Sequence, residues 1–392
     1  MLIFMSQGST ITNPTKHIHA ERIVGLDLLR CLAISGVLLS HSLYFIYPHV
    51  PALNLGVLGS YHLYHLGHLG FYGVELFFVL SGFLIGGLLI RQESHLSRSS
   101  ELTRFYLRRW FRTLPNYYLF IIINGILATV FMPGIINQGK LIAYGLFLQN
   151  LFSANLNFFL ESWSLAIEEW FYLIYALLVF LFLRIKRSDK NAYLYVGIVL
   201  YLISTLSRVL FALHASNTWE TAQREIVILR FDALMTGVLT AWLFKNYPNK
   251  FNNLSRLSLW GGIIILIGCY GTLYLSPEFN AGFFAKTFRF NCVSLGFALL
   301  IPSANKITVQ AHNIISSCIE SFARWSYSMY FVNLPLMYFV KMYIFPNNQL
   351  TASQGWAAFI TEILGTILIS AIIYNFYESK LTNLRERFSF SK

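Results

Sequence analysis

Charge is what this sequence has least of. Of 392 residues only 12% are Asp, Glu, Lys or Arg, against about 25% in an ordinary soluble domain. Acids are the scarcer sign, with 17 Asp and Glu against 29 Lys and Arg and a net charge of +12. So few charges cannot cover a soluble surface, and 56% of the residues are hydrophobic with a mean hydropathy of +0.56. Cysteine is also scarce. Cys31, Cys269, Cys292 and Cys318 stand singly in or near apolar runs, which excludes a disulfide framework and a thiolate metal spacing. No internal repeat is evident, no soluble domain is expected at either end, and no signal peptide is expected, since MLIFM carries no basic flank or following cleavage site. The apolar runs are continuous rather than alternating, which excludes a β-barrel.

What is present is a succession of apolar runs. Ten spans are expected at about 26–47, 73–90, 113–132, 163–183, 192–212, 226–244, 258–275, 287–304, 325–344 and 355–377. Basic residues gather in alternate connections: Arg91, Arg98, Arg104, Arg108, Arg109 and Arg112; then Arg184, Lys186, Arg187 and Lys190; then Lys245, Lys250 and Arg256; then Lys380, Arg385, Arg387 and Lys392. The opposite connections are nearly bare, since 48–72 and 345–354 hold no Lys or Arg and 133–162 only Lys140. This asymmetry orients membrane proteins, and it accounts for the basic balance without nucleic acid. The expected fold is an all-α polytopic membrane protein with about ten transmembrane helices, cytoplasmic termini and a central polar cavity. Residues 1–20 are expected as a flexible tail, 21–380 as the transmembrane domain and 381–392 as a basic cytoplasmic tail.

Ionisable side chains inside lipid normally face a protein interior or a wet cavity. The first run carries Asp27, Arg30 and His41. Eleven helical steps separate Arg30 from His41, which puts both on one face about 16 Å apart along the axis. The bland alternative is that Arg30 snorkels to headgroups and His41 is a satisfied core histidine. The second run, GVELFFVLSGFLIGGLL, brings Glu75 and a small-residue stripe of Ser81, Gly82, Gly86 and Gly87 suited to close helix packing. In RFYLRRWFRTLPNYY, Arg104, Arg108 and Arg112 recur every four residues with Arg109 beside them. Such a stripe suits anionic lipid, or a polyphosphate gripped by guanidinium forks. Glu161, Glu168 and Glu169 gather at the fourth run, Arg230 and Asp232 lie in the sixth, and Arg324, Tyr327, Tyr330 and Asn333 in the ninth. The piece KLIAYGLFLQNLF in the connection 133–162 is too short to span and is expected at the interface or as a re-entrant segment. His49, His62, His65 and His68, with Tyr61 and Tyr64, form an outer aromatic vestibule; their spacing of three and the lack of acidic or thiolate neighbours argue against a metal, and none is expected.

Six stretches in order, LDLLRCLAISGVLLSH, GVELFFVLSGFLI, FYLRRWFRTLPNYY, SWSLAIEEWFYL, RFDALMTG and SYSMYFVNLP, resemble membrane-bound acyltransferase family 3, integral membrane O-acyltransferases of bacteria with eukaryotic relatives. The resemblance implies a multi-pass protein of the bacterial inner membrane. It would move an acyl group, commonly acetyl from acetyl-CoA, to a hydroxyl of an extracytoplasmic or lipid-linked glycan. The family's first-helix pair maps onto Arg30 and His41, its arginine motif onto Arg108, Arg109 and Arg112, and its acidic motif onto Glu168. The ninth-span motif usually has a histidine where this chain has Asn333, an amide that cannot titrate. No counterpart of the hydrolase-like domain appended in some relatives is expected, so a second transfer step would need an extracytoplasmic partner enzyme; a homo-oligomer is also open.

Esterification needs a base for the hydroxyl and positive groups for the oxyanion. His41 is expected as base, oriented by Glu168 or another acid. Arg30 would lie between the thioester and the arginines holding CoA phosphates, while Glu75, Arg230, Tyr327 and Asn333 are expected to meet the acceptor. Acyl transfer through His41 itself stays open. The competing class is a transporter of a lipid-linked sugar or acyl carrier, against which stand the missing repeats and the one-sided arginines.

Overall fold

The computed structural model describes residues 23–49, 56–92, 97–131, 134–154, 156, 158–186, 191–214, 223–307, 314–346 and 350–388. The expected tail 1–20, Arg187, Lys190 and residues 389–392 lie outside the described residues. Among those described, no strand occurs.

Ten principal helices follow in order: α1 Val24–Ser42, α2 Leu69–Arg91, α3 Ser99–Phe131, α4 Ser162–Ile185, α5 Ala192–His214, α6 Phe231–Asn246, α7 Ser255–Gly271, α8 Phe288–Ala304, α9 Ile314–Phe339 and α10 Ala352–Ile373. Each coincides with one apolar run. Seven of them, α1 to α5, α7 and α10, are long and apolar enough to cross a bilayer. The other three depart for identifiable reasons. α6 has 16 residues, about 24 Å against a hydrocarbon core near 30 Å, because Val227–Leu229 forms a separate 3₁₀ turn that delivers Arg230 to the interior. α8 has 17 residues. α9 has 26 but carries Glu320, Arg324 and a serine-rich face.

Helix α3 departs in the other direction. It runs for 33 residues from Ser99, so the arginines expected ahead of a span lie within the helix itself. The short helix Gln138–Gly145 occupies the apolar piece of the connection 133–162, started by Asn137, whose side chain accepts from the Lys140 amide. A capping box of Thr351 and Gln354 starts α10.

The bundle is organised around α2, whose most apolar window is 83% buried, whereas those of α3, α7 and α10 are 17–22% buried. α2 packs on α1, α6 and α8. Glycine makes the α2–α6 approach close: a Cβ at Gly82 would stand 1.9 Å from the Leu234 carbonyl oxygen, and one at Gly237 would stand 2.1 Å from that of Val79. Gly86 faces Val238 on the same seam, so Gly82 and Gly86 of the expected stripe are packing residues. Ser81 turns elsewhere, toward Glu168.

Candidate active site

A cavity of about 350 Å³ opens between α1, α2, α3, α4, α9 and the segment after α10. Five guanidinium groups line it, from Arg30, Arg109, Arg112, Arg324 and Arg385, against three carboxylates, from Asp27, Glu168 and Glu378. Several are already engaged. Arg30 donates to Asp27 at 2.8 Å and Arg324 to Glu320 at 3.2 Å. Glu168 accepts from Ser81 and from the Tyr172 hydroxyl, both at 2.9 Å. Glu378 accepts from Asn116 at 2.8 Å and Ser328 at 2.5 Å. Arg109 lies 4.7 Å over the Tyr172 ring, and its buried Nε has no hydrogen-bond partner. Arg112 makes no hydrogen bond or ion pair with any described residue. Positive charge in a confined space, with donors unspent, could hold a multiply charged anion.

The second polar group lies toward the far end of α1. His41 Nδ1 meets the Asn333 amide oxygen, Asn333 Nδ2 donates to Glu362, and Ser42 Oγ bonds the same carboxyl. Thr366 donates to Glu362 at 3.3 Å. His41 is part-exposed, while Ser42, Asn333, Glu362 and Thr366 are wholly buried. The cavity lining reaches Arg30 on α1 and Tyr330 on α9, one helical turn short of Asn333.

Residues 23–375 match the acyltransferase domain of the acyltransferase 3 family. The chain belongs to that family. O-acetyltransferase OatA of Staphylococcus aureus is 26% identical over 387 residues, covering 91% of this chain and 57% of its own length. Peptidoglycan O-acetyltransferase OatA of Listeria monocytogenes is 26% identical over 340 residues, covering 82% of this chain and 53% of its own. The chain thus spans little more than half the length of these curated relatives. No solved structure matches it.

On this acyltransferase scaffold the sequence-expected residues part into three groups. Arg30, Arg109, Arg112, Glu168 and Tyr327 share the cavity, where Tyr327 is held by a 3.0 Å bond to the Thr113 carbonyl. Arg108 does not line it, and Arg104 is spent on Glu101 at 2.6 Å, so the four-residue stripe is divided. His41 and Asn333 share the second cluster. Glu168 has no bond to His41; the acid that reaches the imidazole, through Asn333, is Glu362. Glu75 and Arg230, expected at the acceptor, pair with each other in the closed core, away from the cavity. Asp232 joins them and pairs with Arg208 at 2.9 Å, and Phe290 lies under both guanidinium groups at 4.5 and 4.9 Å. Opposite charges excluded from water and placed face to face make a structural network.

Two contributions escaped the sequence reading. Glu362 carried a signal, an acid in the middle of the last apolar run. The segment after residue 380, expected as a tail, folds into the helix Ser379–Asn383 and a 3₁₀ segment from Leu384, and puts Thr382, Asn383 and Arg385 on the cavity wall. Among the expected vestibule histidines, His62 bonds the Tyr274 hydroxyl at 3.1 Å and the His65 ring packs 4.3 Å from that of Tyr274.

Proposed function

We propose that this protein is an integral membrane O-acyltransferase that carries an acyl group, acetyl by its family likeness, from acyl-CoA to a hydroxyl of an extracytoplasmic glycan. One observation carries the reading: a cation-rich cavity with an uncommitted Arg112 lies along the same helix, α1, that bears His41 about 16 Å further on. Arg109 and Arg112 hold the phosphates, with Arg385 contributed by the C-terminal segment. The basic loops support a cytoplasmic position for this end, where acyl-CoA is found. The pantetheine arm spans the distance and presents its thioester near His41. The name of the Listeria relative makes peptidoglycan the first acceptor to test.

In the transfer, His41 takes the proton of the acceptor hydroxyl as its oxygen attacks the thioester carbonyl. The tetrahedral intermediate collapses with breakage of the C–S bond, and the proton passes to the departing thiolate, leaving ester and free CoA. Glu168 acts in the cavity, fixing Tyr172 and through it Arg109, rather than on the imidazole.

The reading is tested on detergent-purified protein. Acetyl-CoA is expected to raise the melting temperature in a concentration-dependent way, by mass action on the folded state. His41→Ala is expected to keep that shift while lowering CoA release with cell-wall glycan as acceptor by at least about 10²-fold, the usual scale of a lost general base. Wild-type turnover in His41→Ala removes the base assignment; absence of any acetyl-CoA shift removes the donor.

A further inference from the structure

We infer that Glu362, acting through the side-chain amide of Asn333, sets the tautomer of His41, keeping hydrogen on Nδ1 and leaving Nε2 as the proton acceptor. The inference rests on the reading of His41 as base and adds two positioning residues to it.

The donors and acceptors around Glu362 orient the amide. Oε1 of Glu362 receives Asn333 Nδ2 and Thr366 Oγ1. Oε2 meets Ser42 Oγ, whose hydroxyl also lies 2.9 Å from the Leu38 carbonyl oxygen. A serine hydroxyl has one hydrogen. If it goes to Glu362, we take the carboxylate as charged and accepting from every neighbour, since Oε1 faces two donors, Asn333 Nδ2 and Thr366 Oγ1. If it goes to Leu38, a proton on Oε2 completes the bond to Ser42. In both cases Oε1 remains an acceptor, so the amide must turn its NH₂ toward Glu362. An amide has one donor end and one acceptor end, and its oxygen is then what faces His41. Only a protonated Nδ1 can satisfy that oxygen. Reversing the amide would set its oxygen against Oε1 in a wholly buried site, a cost no water can relieve.

The elements fit this purpose. Ser42 belongs to α1 beside His41, Asn333 to α9, and Glu362 and Thr366, one turn apart, to α10. Three helices therefore converge on one imidazole nitrogen. An amide suits the middle position because it neither takes nor releases a proton, so it orients the ring without competing for the proton that catalysis moves.

The test uses the full-length protein in detergent, with acetyl-CoA as donor and cell-wall glycan as acceptor, reading CoA release. Asn333→Leu and Glu362→Leu are each expected to lower kcat by about 10²-fold, within the range for an impaired general base, while the KM for acetyl-CoA stays within about two-fold. Glu362→Gln offers Asn333 an acceptor oxygen and Ser42 an amide donor, and is expected to restore kcat to within about five-fold of wild type. Combining Asn333→Leu with Glu362→Leu should cost no more than Asn333→Leu alone, because both act on one nitrogen. A role in packing alone would disturb KM and melting temperature together and would not be rescued by glutamine. Glu362→Leu turning over at the wild-type rate, or multiplying the loss in the double variant, overturns the inference. Should Glu362→Leu fail to fold, Asn333→Leu decides it on kcat. A fully active His41→Ala brings down the underlying base assignment instead, whereas an inactive His41→Ala beside a fully active Asn333→Leu brings down this inference alone.

Discussion

The cavity and the closed core both hold arginines inside the helix bundle, yet they are balanced differently. In the core, Arg208 and Arg230 stand against Asp232 and Glu75, one acid for each base, with all four side chains excluded from solvent. In the cavity, five guanidinium groups face three lining carboxylates; Arg324 and Arg385 reach Glu320 and Glu386 beyond the lining, and among the described residues Arg112 makes no hydrogen bond or ion pair. Charges matched in number offset one another and stabilise a packing arrangement, although Glu75 Oε2, Arg230 Nε and both Asp232 carboxylate oxygens make no hydrogen bond. A surplus of one sign around a void leaves interaction energy for a ligand of the other sign. The balance of charge at a cluster, more than the presence of charge in a membrane helix, separates a scaffold from a site.

The comparison can be broken most forcefully in the core. Glu75→Leu leaves Arg230 without its nearest acid, and removing one member of a buried pair costs about 3–5 kcal/mol. The expected outcome is a large fall in melting temperature and in the yield of folded protein. Replacing both partners, as Glu75→Leu with Arg230→Met, should recover most of the stability and keep acyl transfer. A stable double variant that has lost transfer would instead return Arg230 to the acceptor site.

A smaller effect is expected at the cavity. Arg112→Ala should leave the melting temperature of the ligand-free protein within about a degree of wild type, since nothing in the fold depends on its hydrogen bonds. It should weaken acetyl-CoA binding by about 10- to 100-fold, the equivalent of about 1.5–3 kcal/mol for a lost charged hydrogen bond. Titration of the ligand-induced thermal shift reads both quantities. An unliganded protein that melts much earlier would make Arg112 part of the scaffold and erase the contrast.

A third effect, read as a pH dependence, concerns a buried carboxyl. Glu161, just ahead of α4, is buried, its Oε1 has no hydrogen-bond partner, and burial pushes its pKa up from 4.5 to about 8. The folded protein therefore keeps a proton that the unfolded chain releases near pH 4.5, so this group's contribution to stability declines as pH rises from about 4.5 to 8. Glu161→Gln removes the dependence. The melting temperature of the variant minus that of wild type should widen from pH 5 to pH 8, and a constant difference would show that the carboxyl is not titrating in the folded state.

Much of the scaffold was legible in the chain because it is governed by local quantities. Hydropathy over about twenty residues located the seven helices long and apolar enough to cross a bilayer, and the small residues of the second run marked Gly82 and Gly86 as contact residues. Six ordered motifs were enough to expect the family that the match over residues 23–375 shows. Local quantities cannot say which distant side chains meet. Nothing along the sequence distinguishes Arg112, left over in a void, from Arg230, consumed by a glutamate 155 residues away. Nor could it reveal that Glu168 belongs with Ser81 and Tyr172 while Glu362 stands behind His41, or that Thr382, Asn383 and Arg385 line the cavity. Apolar length and period are written in neighbouring residues, so the sequence by itself determined helices, faces and kinship. Partnership between buried charges depends on how helices distant in the chain cross, and only the tertiary structure decided it, because the cost of an unpaired charge is settled by whichever groups packing brings within reach.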